Sequence, residues 1–229
     1  MQLPYLSSML CNIRNVPKHA VLQLIIYLFF SEREKTMLSL SNYLVKEEVG
    51  FLKLSDRFNI FNPDTGEKVG FAKENISVFL KLMRFFVNKR LLPTTVDVVN
   101  NNNEILFSIK KSPMFIRAKV DILDSRKKSV GYFKSRFLSL GGRFDVFDTK
   151  DSKLAEVKGD WKGWNFKFIG TNEKELGSVT KKWAGIGKEL FTSADNYLIN
   201  INKDVLNPIS SLLLLAAGLA IDIVYKEKK

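Results

Sequence analysis

NPISSLLLLAAGLAIDIVY, residues 207–225, closes the chain just ahead of the charged end KEKK, and its reading decides the fold. Pro208 suits the first turn of a helix, and Asn207 or Ser210 can cap it. From Ile209 to Ile221 the only polar residues are Ser210 and Ser211, so the helix is apolar on every side. Such a helix lies either inside protein or in lipid. The stretch spans only about 20 Å at ~1.5 Å per residue, against a bilayer core about 30 Å thick. Extending it to Tyr225 takes in Asp222, which costs roughly 3 kcal/mol at mid-membrane. The expectation is a central helix surrounded by protein.

What surrounds it has to come from the preceding residues, and these read as strands. One unit recurs: an apolar strand end, a polar turn, then an apolar residue, usually Gly, and an alternating strand ending in Lys. It appears as IFNPDTGEKVGFAK (60–73), ILDSRKKSVGYFK (122–134), VFDTKDSKLAEVK (146–158) and FIGTNEKELGSVTK (168–181). RFNIFN (57–62) and RFDVFD (143–148) echo each other as strand entries. A fifth hairpin is expected between 96–99 and 105–109, with 100–103 as its turn. Period-two alternation with Asn, Asp and Gly at the turns is hairpin chemistry. A true repeat and convergent turn chemistry both account for the recurrence. A meander of many short strands has exposed edges, and closure into a barrel removes them. A barrel wide enough for a helix needs more strands than one filled by side chains. The sequence therefore points to a mainly β protein: a closed antiparallel barrel around a buried apolar C-terminal α-helix.

GSVTKKWAGIGKELFTSADNYLININ (177–202) followed by LLLLAAGLAIDIVYKE (212–227) closely resembles the C-terminal part of the phospholipid scramblase family. That family is grouped with the LURP-one-related proteins under the Tubby C-terminal-like fold. The matching features are the KKW-x-G stretch, the FTSADNY turn and a small-residue apolar helix containing Ile-Asp. FLSLGGRFDVFD (137–148) and VGYFKSRF (130–137) fit as well. The resemblance runs over about 40–227 and implies a barrel of about twelve strands wrapped around the C-terminal helix.

The chain of 229 residues carries a formal net charge of +12, which favours anionic partners by long-range attraction, although Lys- and Asn-rich composition also arises from nucleotide bias. Its single cysteine, Cys11, excludes an internal disulfide and a thiolate zinc cluster and fits a reducing, cytoplasmic setting. VLQLIIYLFF (21–30) is too short to span a bilayer and lacks the small-residue cleavage site of a signal peptide. Residues 1–36 thus read as an extension, either untranslated with Met37 as the start or interfacial, and 37–229 as one scramblase-like barrel domain. The only histidine, His19, lies in that extension, so the barrel has none for a triad, a zinc site or a proton shuttle. No phosphate-cradling glycine motif appears. Catalysis and a cofactor are not expected.

The resemblance also implies a cation site to be weighed. Residues 193–204 (SADNYLININKD) align with an EF-hand-like loop in calcium-responsive scramblases, and Asp195 and Asp204 match its ligand positions. The first position is Ser193 where the family has Asp, no glycine marks the mid-loop turn, and Lys203 intervenes. The favoured reading is an Asx-type turn, with calcium as the alternative.

ISVFLKLMRFFVNKRLL (76–92) is the stronger functional feature. Ile76, Phe79, Leu80, Met83, Phe86 and Val87 follow helical spacing, while Lys81, Arg84, Lys89 and Arg90 fall largely elsewhere. Basic amphipathic helices bind membrane surfaces, and equally pack on a domain with solvated lysines. Lys110, Lys111, Arg117 and Lys119 form a second candidate patch, at the place where eukaryotic scramblases carry a lipidated cysteine cluster that this chain lacks. Trp161 and Trp164 read as barrel-end aromatics or interfacial anchors. The expectation is a non-enzymatic, scramblase-like protein that binds anionic phospholipid at a basic surface, peripheral at the inner face of the plasma membrane. The alternative is a soluble Tubby-like regulatory module for a small ligand, a protein or, less favoured, nucleic acid.

Overall fold

The computed structural model describes residues 37–48, 57–88, 91–113, 119–135, 143–160, 164–181, 196–202, 204 and 208–225. The alternating stretches become twelve strands: β1 Asn42–Glu47, β2 Arg57–Phe61, β3 Lys68–Glu74, β4 Thr94–Asn100, β5 Ile105–Lys111 and β6 Lys119–Asp124. They continue as β7 Ser129–Ser135, β8 Phe144–Asp148, β9 Lys153–Asp160, β10 Asn165–Gly170, β11 Glu175–Thr180 and β12 Asn196–Ile201. Each pairs antiparallel with its sequence neighbour, and β12 pairs with β1, so the sheet closes without an edge. Two helices complete the described elements, α1 Val78–Met83 and α2 Pro208–Tyr225.

The recurring unit is a recurrence of backbone geometry. All five hairpins, the predicted one at β4–β5 included, close through a turn with one residue in the left-handed region. These are Gly66, Asn103, Lys127, Asp151 and Glu173, with φ of 71°, 63°, 62°, 62° and 62°. A register shift follows each turn, as in three-residue hairpin loops that end in a bulge. In all five turns an Asx side chain (Asn62, Asn100, Asp124, Asp148 or Asn172) accepts the backbone N–H two residues on. Glycine then returns at one place in three units because the strands approach closely there. A Cβ at Gly70, Gly131 or Gly177 would lie 2.4 Å from a carbonyl oxygen of the adjacent strand.

The inward residues of every strand and the middle of α2 form one core, with Leu212 to Asp222 all buried. An all-round apolar helix has found its protein surroundings, and no helix among the described residues is long and apolar enough to cross a membrane. α2 enters at the tight-turn end, beyond Ile201, and runs back along β12. A Cβ at Gly131 would lie 3.5 Å from Leu213, and one at Gly218 only 2.4 Å from Ile199 Cδ1, so the helix seats against the wall where it has no side chain. Near the opposite mouth, burial and the charges of Asp222 and Glu47 push the Tyr197 phenol well above its ordinary range. Trp164 packs over this mouth, tilted against Tyr197 at 5.3 Å and edge-on to Phe166 at 5.9 Å. That is the barrel-end role foreseen for it; Trp161 lies outside the described residues.

Candidate functional site

Strand alternation sends every second side chain outward, and on a basic chain the outer wall decides what the protein can meet. From β8 to β11 the outward lysines face carboxylates. Lys153 Nζ lies 2.7 Å from Asp145, Lys158 Nζ 3.7 Å from Glu156, and Lys167 Nζ 2.7 Å from Glu175. On β1–β3 the cations rest on aromatic rings. Lys46 Nζ sits 5.1 Å from the Phe61 centroid, and Phe71 is ringed by Arg57 at 4.3 Å, Lys68 at 5.1 Å and Lys73 at 5.9 Å. Arg57 also approaches Glu48 at 3.4 Å. A ring holds a cation through its quadrupole, worth ~0.5–1 kcal/mol at an exposed site, and leaves the net charge in place. Among the described residues Lys46, Lys68 and Lys73 make no ion pair within 4 Å, and they share one contiguous sector.

α1 stands beside this sector, three residues beyond β3. Ser77 caps it, its hydroxyl accepting the Leu80 N–H at 3.3 Å. Arg84, just past its end, forks onto the Glu74 carboxylate, with Nη1 at 2.8 Å from Oε2 and Nη2 on Oε1. Both side chains are largely buried. The pair draws Leu80, Met83 and Val87 toward the body of the protein and turns the other side out. Val78, Phe79, Leu82, Phe85 and Phe86 are 56–85% exposed. The stripe expected to pack thus divides: Ile76, Leu80, Met83 and Val87 are half-buried, whereas Phe79 and Phe86 face solvent. The physical reason is that α1 is a single short helix whose end is tied by the buried Arg84–Glu74 pair to the last residue of β3, which helps set its rotation.

The predicted basic residues separate on this frame. Lys81 is half-buried on α1, and Arg84 is committed to Glu74. Lys110 is exposed on the outer face of β5, while Lys111 is fully buried and cannot reach a headgroup from there. Lys119 is exposed, 2.9 Å from Asp121 and over the Tyr132 ring at 4.6 Å. Lys89, Arg90 and Arg117 lie outside the described residues, as do Asp195 and, in the KKW segment, Lys182 and Trp183. Asp204 is exposed, its N–H donating to Asn202 Oδ1 at 3.1 Å. Among the described residues no three His, Cys, Asp or Glu side chains converge on a cation site. Reading the sequence missed Lys46, Lys68 and Lys73. Their signal was present as Lys–aromatic alternation, in which basic and aromatic residues share the outward parity of paired strands.

Two polar features border the β1–β3 sector. Asp97 of β4 is buried and accepts from Ser108 Oγ at 2.6 Å, Asn75 Nδ2 at 2.9 Å and Lys127 Nζ at 3.1 Å. Burial opposes its ionisation, but these hydrogen bonds and the Lys127 charge outweigh it and hold the carboxyl below its ordinary value. Lys127 also donates to Ser108 Oγ at 2.7 Å, so the group is a closed, satisfied cluster. A polar cavity of about 380 Å³ opens beside β1, β11 and β12, lined by Ser41, Asn42, Glu175, Asn200 and Asn202.

The scramblase family model matches residues 35–228. A phospholipid scramblase family protein of Schizosaccharomyces pombe is 24% identical over 160 residues, which cover 65% of this chain and 41% of that protein. Altered inheritance rate of mitochondria protein 25 of Saccharomyces cerevisiae is 19% identical over 199 residues, covering 73% of this chain and 60% of that one. The chain therefore spans less than two thirds of the length of either relative. Among solved structures, a protein from Arabidopsis thaliana aligns with a TM-score of 0.44 and 12% identity, over 78% of this chain and 91% of that one.

Proposed function

The chain belongs to the scramblase family, and from that premise we propose that it is a scramblase-like, lipid-binding protein that docks on anionic membranes through its β1–β3 wall. Membership supports a lipid-associated role at the level of the family. The observation that carries the finer reading is the sector of Lys46, Lys68 and Lys73, whose charges rest on rings and not on carboxylates. Each lysine near an anionic surface contributes about 1 kcal/mol, and several acting together hold a protein peripherally. Lys110, exposed on β5, extends the surface, whereas Lys119 is paired with Asp121. The protein acts by binding, without catalysis or a cofactor, at the cytoplasmic face of the plasma membrane.

The test is flotation of the full chain with phosphatidylcholine vesicles, with and without phosphatidylserine, followed by a high-salt wash. Flotation confined to the anionic vesicles, weakened by salt and unchanged by adding or chelating calcium, is expected. Equal flotation on neutral vesicles, or none on either, overturns the proposal. A second reading, a soluble module for a small ligand, is favoured by the polar cavity beside β1 and β12. Substitutions at Asn42 and Asn200 separate it, since they leave vesicle binding unchanged under the first reading.

A further inference from the structure

We propose that α1 is a wedge that enters the acyl layer of an anionic membrane, so that the chain selects leaflets with loose packing or high curvature. This rests on the docking reading above and adds to it a depth and a preference.

Val78, Phe79, Leu82, Phe85 and Phe86 are all more than half exposed, Phe86 at 85% and Phe79 at 68%, within one short segment. A cluster of large apolar side chains left in water marks an interaction site. Lys81, half-buried on α1, is the one lysine among them, and its long stem lets its ammonium reach headgroup level while the apolar side chains go deeper. The one arginine of the segment is withdrawn into its bidentate pair with the buried Glu74 carboxylate. That pair also fixes how the wedge is presented, since it ties the end of α1 to the last residue of β3.

Charge and shape choose the occupant. Lys73 precedes Glu74 directly, so the lysine sector borders the apolar side chains, as on a surface helix whose apolar face sinks just below headgroup level. A second copy of this chain would bring a formal +12 against +12 and the same lysines to the same place. A deformable acyl layer accommodates such exposed side chains without a preformed groove. Insertion of a small apolar element is easiest where packing defects are common, which gives the preference for curved, unsaturated leaflets.

The experiment uses the full chain and vesicles of phosphatidylcholine with phosphatidylserine, sonicated small or extruded large, carrying either saturated or unsaturated chains. F86W is measured with lipids brominated at mid-chain, against the parent chain. Extra tryptophan quenching on binding, and at least about tenfold tighter binding to small unsaturated vesicles, are expected. F79S/F85S/F86S should abolish that preference and weaken binding at least about tenfold, leaving a residue that salt removes. These side chains are exposed, and unchanged thermal unfolding of the variant confirms that the fold is intact. Binding of the parent without extra quenching, or without dependence on curvature, overturns the wedge and leaves lysine docking standing. No binding to any anionic vesicle overturns both. A parent chain that is dimeric in solution and becomes monomeric in the triple variant assigns the face to a second copy and overturns the wedge.

Discussion

The β8–β11 side of the barrel and the β1–β3 side are built from the same hairpin, yet they present their lysines differently. The strand lysines of β8–β11, Lys153, Lys158 and Lys167, each meet a carboxylate, as in Lys153–Asp145 at 2.7 Å and Lys167–Glu175 at 2.7 Å. On β1–β3 aromatic residues occupy outward positions next to the lysines, as Phe71 does beneath Lys68 and Lys73. The difference teaches that net charge alone does not locate a functional surface. What matters is whether the neighbouring outward residue neutralises a cation or only orders it.

The largest expected effect breaks that comparison directly. K46E/K68E/K73E should lose at least about 100-fold in affinity for phosphatidylserine vesicles, from roughly 1 kcal/mol per lysine removed. K153E/K158E/K167E lowers the net charge by the same amount and should change binding by less than about threefold. Sedimentation of both variants with vesicles provides the comparison.

Next comes the ion pair that presents α1. Arg84→Ala leaves a buried Glu74 without its guanidinium and should cost about 3 kcal/mol by urea unfolding. Lys167→Ala removes an exposed pair of the other wall and should cost under about 0.5 kcal/mol.

Asp97, on β4 just beyond the cationic sector, sharpens the boundary. Asp97→Asn should cost about 2 kcal/mol, because Lys127 and Ser108 lose a charged acceptor. Its folded carboxyl lies below the ordinary value of 3.8, so its stabilisation is complete above that value and is lost as pH falls through the lower folded value. Parent and variant stabilities should therefore converge only in strong acid. The smallest effect tests the shared hairpin. Glu173→Gly relieves a left-handed residue, partly offset by a looser unfolded chain, and should raise stability by about 0.5 kcal/mol.

Much of the fold was legible because its signals are local and repeated. The Asx and Gly turns mark five hairpins, and a helix apolar all round, with Asp222 near its end, has to be enclosed. The site was less legible. Along 76–92 nearly every helical face carries an apolar residue, so periodicity could not say which one turns outward. A contact between Arg84 and Glu74, set by the end of β3, helps decide it. Lys111 looked like part of a surface patch because it follows Lys110, but strand alternation sends the two to opposite faces. Lys46, Lys68 and Lys73 come together only through the register of three strands.

The central claim is that one wall, and not net charge, meets the membrane. Lysine reactivity of the full chain, mapped by reductive methylation and mass spectrometry with and without phosphatidylserine vesicles, tests it most directly. The account predicts protection of Lys46, Lys68 and Lys73 on vesicles, with Lys153, Lys158 and Lys167 reacting as they do in solution. Uniform protection around the barrel, or protection of the β8–β11 lysines alone, would contradict it.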